Sequence, residues 1–386
     1  MIMIELFIYL KNILMNHKQK KYFDKKSVHN IWSDDKKLKK EQYDFIVSIP
    51  CYDEYDYIFK TLESINNQNI DLLKNTLVSI VINNSESEKK EVINNNIKTF
   101  EKLILNEYNF EFIAIDAFSK NKSIKDKDAG VGMARKISVD IALQYCHTNT
   151  MICFIDADTK LSERYLKSIR ASYIKDKWEA ATIDFKHLRD EPKTIELIND
   201  YENFLKNTSE NLKKSNSPYH YVPLGSTMLC TKDAYISIGG MNKRKAAEDF
   251  YFLQELQKSI GVFYINEVLA YPSSRYLNRS YLGTSTRLKK SLDGELDINT
   301  LYYSSKSFEI LYLWIETALN SEAASYQEIV KKCNEIDLNL SEILISLNFE
   351  KAWEGIIDTP SYQHFEKQFH RWFDAFKTFK LLKYYS

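Results

Sequence analysis

The apolar run Met151-Ile152-Cys153-Phe154-Ile155 breaks directly into Asp156-Ala157-Asp158. The run reads as a buried strand. Two carboxylates one residue apart, just past such a strand, can share a site at the C-terminal edge of an open α/β sheet, where these sheets bind ligands. Hard divalent cations take oxygen ligands, and Mg²⁺ or Mn²⁺ needs only one or two protein carboxylates when a phosphate supplies the rest. The segment therefore reads as a place to hold a metal–diphosphate. The plain alternative is a polar turn after a strand.

The surrounding chain alternates. Strands are predicted at 45–50, 77–82, 112–115, 151–155, 180–185, 228–230 and 262–265, with helices at 55–65, 86–100 and 132–145. Strands alternating with helices imply crossover connections and a mostly parallel sheet. After Tyr276 the strand pattern fades, and segments 308–319, 322–334, 340–347 and 361–382 have helical patterns rich in Tyr, Phe and Trp. The predicted class is α/β with a mostly parallel central sheet plus a C-terminal helical region. The expected division is a helical, charged extension over 1–42, read as a linker or surface segment after residue 15. An α/β domain over 43–275 follows, then a helical region over 276–386 that closes over or beside the active site.

Lys+Arg and Asp+Glu both number 53, so the formal charge is zero. That argues against broad nucleic-acid binding, which needs a basic surface. Five cysteines without Cys-x-x-Cys spacing indicate neither a disulfide framework nor a zinc site. Reduced thiols in a cytoplasmic protein are the simplest account. Residues 1–15 are apolar but carry Glu5 and Lys11, and a basic stretch follows. They fall short of a spanning helix and lack the features of a secretory signal. They read as a helix docked on the protein's own body, or as an interfacial helix touching the inner face of an anionic membrane.

Three further segments carry chemistry. The first strand ends Ile49-Pro50-Cys51-Tyr52-Asp53-Glu54, and its proline cannot continue a central ladder. Gly130-Val131-Gly132-Met133-Ala134-Arg135-Lys136 opens a helix, and Gly239-Gly240 comes shortly before Glu248-Asp249. With Asp156-Ala157-Asp158 between them, these segments resemble, in order and spacing, the family 2 glycosyltransferases of the GT-A fold. The resemblance covers roughly residues 43–275. Those enzymes carry Ile-Pro-x-Tyr-Asn-Glu, a Gly…Ala-Arg-Asn helix, an apolar strand into Asp-x-Asp, and a Gly-Gly turn before Glu-Asp. Asp53 here replaces the usual Asn.

The resemblance implies an inverting, metal-dependent transfer from a nucleoside-diphosphate sugar, UDP favoured over GDP, to an acceptor hydroxyl on a glycan or lipid-linked molecule. It implies Mn²⁺ or Mg²⁺ held by Asp158, with Asp156 beside it touching metal or ribose. Asp249 would be the general base, and Glu248 would position the acceptor. Pro50, Tyr52 and Glu54 would meet the nucleotide, with Asn83, Asn84 and Asp116 near the base or ribose. Arg135 and Lys136 would face the diphosphate from a helix start. Gly225 and Ser226 would line the sugar or acceptor pocket.

Each residue also has a bland reading. Acids in a first helical turn are good helix chemistry, Tyr52 can be a packed tyrosine, and Arg135-Lys136 a solvated pair. The family's downstream His is absent from Leu269-Ala270-Tyr271-Pro272-Ser273-Ser274-Arg275, so the metal would rely on Asp158, phosphate oxygens and water. Arg275, Arg279 and Arg287 with Lys289 and Lys290 form a basic cluster that can meet an anion or be a solvated surface. The string Gln368-Phe369-His370-Arg371-Trp372 matches one in processive polysaccharide synthases, but it lies far from Glu248-Asp249 and beside no membrane span. It reads as coincidence, and the chain as non-processive. Two other classes compete. A nucleotidyltransferase would be expected to place a Gly-rich, basic loop after the first strand, unlike Cys51-Tyr52-Asp53-Glu54. A non-catalytic nucleotide-sugar-binding or scaffold protein would not need an intact Asp156, Asp158 and Asp249.

Overall fold

The computed structural model describes residues 17–32, 38–276 and 283–386. The expectations for residues 1–15 and for Arg279 lie outside these. The chain divides into two compact units. One comprises the residues up to Glu191 together with Pro223–Gly283; the other comprises Pro192–Val222 and Thr284–Ser386.

The first unit is built on an eight-stranded sheet: β1 (Tyr43–Cys51), β2 (Thr76–Asn83), β3 (Glu111–Ala117), β4 (Cys146–Phe154), β5 (Lys160–Leu161), β6 (Ala180–Phe185), β7 (Met228–Thr231) and β8 (Phe263–Tyr271). The order across the sheet is β3-β2-β1-β4-β7-β6-β8-β5. β1, β2, β3 and β4 are mutually parallel, β7 is antiparallel to both β4 and β6, and β8 is parallel to β6 but antiparallel to β5. Only β5 and β7 therefore run against the common direction, and the α/β class with a mostly parallel sheet is what the alternation predicted. β1 and β2 are apolar and buried nearly throughout, as central parallel strands covered on both faces should be.

Pro50 lies inside β1, paired with Val81, instead of ending it. The pairing of β1 with β4 stops at Ser48, whose carbonyl accepts from Ile155 N at 3.0 Å. By the two-residue period of a strand, Pro50 faces the same side as Ser48. Its missing N–H therefore falls where no neighbouring strand continues.

Residues 17–32 are not a loose linker. The helix His17–Lys25 buries Tyr22, and Val28 and Trp32 are buried after it. Asp140, wholly buried, accepts from Tyr22 Oη at 2.5 Å, Val28 N at 2.9 Å and Tyr235 Oη at 3.1 Å, and pairs with Lys136 Nζ at 3.0 Å.

The second unit is helical. The helix Ile195–Lys214 joins it from the middle of the chain, and Ser305–Leu319, Tyr326–Ile336, Leu340–Ser346, Phe349–Ile357, Tyr362–Trp372 and Ala375–Tyr384 make up most of the rest. Its core gathers Trp314, Phe349, Trp353, Phe365, Phe369 and Phe373. The predicted helix over 361–382 is two helices. Asp374 breaks it by capping the second, accepting from Lys377 N at 3.1 Å. The Gln368–Trp372 string sits on the first, with Phe369 packed 5.7 Å from Trp314. Among the described residues no helix is long and apolar enough to cross a membrane.

Candidate active site

The chain lays down β1, then β2 and β3 to one side, and then β4 on the other side of β1. At such a switch point the connections diverge and open a crevice beyond the C-terminal ends of the two central strands. β1 delivers Tyr52, Asp53 and Glu54 to this edge, and β4 delivers Asp156 and Asp158. Asp53 makes the turn in the left-handed region, φ 56°, which Asp and Asn tolerate best. Its side chain accepts from Asn95 Nδ2 at 2.5 Å. β8 shares the direction of β1, so Arg275, just past its end, arrives at the same edge. β7 runs the other way, so the turn Gly225–Thr227 before it arrives there too. Extending the register Cys153↔Leu229 sets Ser226 opposite Asp156, and Ser226 Oγ donates to Asp156 Oδ2 at 2.8 Å.

Arg135 connects two parts of the site. Its helix, Val131–Ala142, is fastened to β2 by Ser138 and Ser79, each hydroxyl donating to the other's carbonyl at 2.9 Å. Gly132 lets the 242–248 loop lie directly on this helix: a Cβ there would come within 2.6 Å of the carbonyl oxygens of Asn242 and Arg244. The loop ends at Ala247 in the left-handed region, φ 57°, and the helix Glu248–Ser259 begins. Arg135 then donates through Nη1 to Glu248 Oε1 and through Nη2 to Asp156 Oδ1. It is 1% exposed. Burial alone would lower its pKa, but Asp156, Glu248 and Asp249 outweigh that and raise it. Burial, reinforced by Asp249, pushes the Glu248 carboxyl up to about 7 against the pull of Arg135. Burial also lifts Asp249, with Arg135 opposing, and Asp249 Oδ1 accepts from Phe250 N at 2.7 Å.

Arg275 makes a second bridge, which its place in a basic sequence cluster did not reveal. Nε donates to Asp158 Oδ2 at 2.7 Å, and Nη2 donates to Glu54 Oε1. The guanidinium lies 4.1 Å from the centre of the Tyr57 ring, a cation–π distance. Burial raises the Asp158 pKa, with Arg275 pulling it down.

The other expected residues divide. Pro50 is buried and Tyr52 half-buried at the end of β1. Asn83 is buried at the end of β2, and its Oδ1 has no hydrogen-bond partner among the described residues. Asn84 is committed to the fold: Nδ2 donates to Ser85 O at 2.8 Å and Phe118 O at 3.3 Å, and Oδ1 accepts from Asn96 at 3.0 Å. Asp116, on β3, is engaged in its own turn, accepting from Ser119 N at 2.9 Å and Ser119 Oγ at 2.6 Å. Burial would raise its pKa, but these bonds and Lys122 lower it. Lys136 does not join Arg135. Successive helical residues point about 100° apart, and Lys136 Nζ turns to Asp140 and to Tyr22 Oη, 2.9 Å away. Burial lowers its pKa against the pull of Asp140.

Among the described residues no three His, Cys, Asp or Glu side chains group to hold a metal ion. Asp158 still fits a hard cation as a single carboxylate ligand. Both Arg275 contacts fall on its Oδ2, and Mg²⁺ or Mn²⁺ accepts one protein carboxylate when phosphate oxygens and water complete the shell.

No protein-family profile matches the chain, and no curated protein matches it. Among solved structures it is similar to S. aureus TarS 1–349 in complex with UDP-GlcNAc, at 15% identity over 85% of this chain and 91% of that one, TM-score 0.45. A longer S. aureus TarS chain matches at 16% identity over 84% of this chain and 55% of that one, TM-score 0.42. A mannosyltransferase from Pyrobaculum calidifontis in complex with GDP-Man and Mn²⁺ matches at 11% identity over 83% and 77%, TM-score 0.40.

Proposed function

We propose that this protein is an inverting, metal-dependent, non-processive glycosyltransferase that moves a sugar from a nucleoside-diphosphate sugar to an acceptor hydroxyl on a glycan or lipid-linked molecule. One observation carries the reading. Arg135 ties Asp156, at the β1/β4 crevice, to Glu248, at the start of the helix that also bears Asp249. A donor-side carboxylate pair and an acceptor-side pair thereby share one edge.

In this reading Tyr52 stacks on the nucleobase, and the buried Asn83 Oδ1 accepts from a base N–H, a donor that uracil and guanine both offer. Asp156, oriented by Arg135 and Ser226, contacts ribose. Asp158 holds Mn²⁺ or Mg²⁺, which when bound neutralises charge on the departing diphosphate. Asp249 takes the acceptor proton. Its pKa is raised by burial, which brings a carboxylate base nearer to working pH. Glu248, fixed by Arg135, positions the acceptor. Gly225 and Ser226 line the sugar pocket. All five cysteines are buried, and the place of work proposed for the enzyme is the cytoplasm.

The test is a panel of UDP- and GDP-sugars with Mn²⁺, read by thermal stabilisation. A ligand that binds only the native state raises its melting temperature. At least one nucleotide-sugar should do so in a metal-dependent way. A flat response across the panel would contradict the proposal.

A further inference from the structure

Arg275 occupies an unusual place for a cation. It lies on the carboxylate assigned above to the metal, with its Nε 2.7 Å from Asp158 Oδ2. Two other groups hold it independently of Asp158: Glu54 through Nη2, and the face of Tyr57. Its Nη1 is buried and has no hydrogen-bond partner among the described residues. Buried donors are usually hydrogen-bonded, so Nη1 has a bond to give to an incoming acceptor.

We propose that Arg275 couples the binding of the divalent cation to that of the diphosphate. Without nucleotide, the guanidinium neutralises Asp158 and repels a second cation from the same carboxylate. A diphosphate supplies acceptor oxygens that the Nη1–H and Nε–H groups can take. Arg275 then gives up Asp158, which turns to the cation bound with the phosphates. Glu54 and Tyr57 keep the guanidinium at the site through the exchange. Metal alone binds weakly and metal with diphosphate binds well, because one residue opposes the first and joins the second. The coupling is reciprocal, as any linkage between two ligands must be. The inference rests on the metal role proposed for Asp158.

The experiment measures Mn²⁺ affinity by calorimetry with and without UDP, in the wild type, Arg275→Gln and Asp158→Ala. A guanidinium in contact with a carboxylate lowers its affinity for another cation by roughly tenfold or more. Arg275→Gln should therefore bind Mn²⁺ alone about tenfold or more tightly than the wild type, and UDP should strengthen that binding less. Asp158→Ala should bind Mn²⁺ poorly in both conditions. If Asp158→Ala loses Mn²⁺ but Arg275→Gln binds it no better than the wild type, the coupling is wrong and the metal role stands. If Asp158→Ala binds like the wild type, both fall. A wild-type measurement covers the case in which Arg275→Gln does not fold. In ¹⁵N-arginine-labelled protein, the Arg275 Nε–H resonance, assigned by its loss in Arg275→Lys, should change its chemical shift once Mg²⁺ and UDP are added, because its acceptor changes from the Asp158 carboxylate to a phosphate oxygen. An unchanged shift at saturating Mg²⁺ and UDP would overturn the coupling.

Discussion

The guanidinium of Arg135 fills the space that a side chain at position 225 would need: a Cβ on Gly225 would lie 2.0 Å from Nη2 and 2.8 Å from Cζ. Gly225→Ala should expel Arg135 and leave Glu248, 4% exposed, without its cation. Breaking a buried ion pair from one side costs about 3 kcal/mol. We expect a fall in stability of that order by denaturant unfolding, with transfer lost. Unchanged stability and activity would show that the bridge has no role.

Asp140 fastens residues 17–32 to the sheet unit and pairs with the buried Lys136. Asp140→Ala should cost about 3 kcal/mol or more, because it leaves an uncompensated cation. Urea denaturation of both proteins checks this. A loss below about 1 kcal/mol, typical of an exposed pair, would mean that the network contributes little.

Much of this architecture was legible from local pattern. The apolar runs of β1, β2 and β4 gave their own positions because strands buried on both faces need no alternation. β5, two residues long, has no such pattern. The 20-residue helix Ile195–Lys214 belongs to the second unit, a placement that sequence order hides. The site divides in the same way. Asp156 and Asp158 were visible because they follow a strand directly. The contacts of Arg275 were not, since its partners Asp158 and Glu54 lie 117 and 221 residues away in the chain. Lys136 was misread because neighbours in a helical sequence share no face. Asn84 turns into the fold because its partners Asn96 and Phe118 come later in the chain.

His370 titrates in the second unit. Its Nδ1 is buried with no partner among the described residues, and burial lowers its pKa to about 4. The folded protein therefore keeps the ring neutral at a pH where the unfolded chain, with an ordinary value near 6.5, takes up a proton. Stability is full above about 6.5 and is lost as pH falls toward 4, by about 3 kcal/mol at most. Unfolding of the wild type and His370→Gln across this range should show the difference in slope. Parallel curves would refute it.

Asp158→Ala should abolish metal-dependent nucleotide binding while the fold persists, because Glu54 and Tyr57 still hold Arg275. Titrating UDP into the variant with Mn²⁺ present is the check. Wild-type affinity with its metal dependence intact would remove Asp158 from the site.

The central claim is that Asp249 takes a proton from the acceptor hydroxyl while the neighbouring carboxylates hold the donor. Asp249→Asn preserves the shape and the oxygen that accepts from Phe250 N. Donor affinity by calorimetry and the rate of sugar transfer, measured on one preparation each of wild type and variant, separate the two roles. We expect donor binding within a few-fold of the wild type and a transfer rate lower by roughly 10²–10⁴-fold, with NMR of the wild-type product showing an inverted anomeric configuration. Near-normal transfer by Asp249→Asn, or a retained configuration in the wild-type product, would contradict the account.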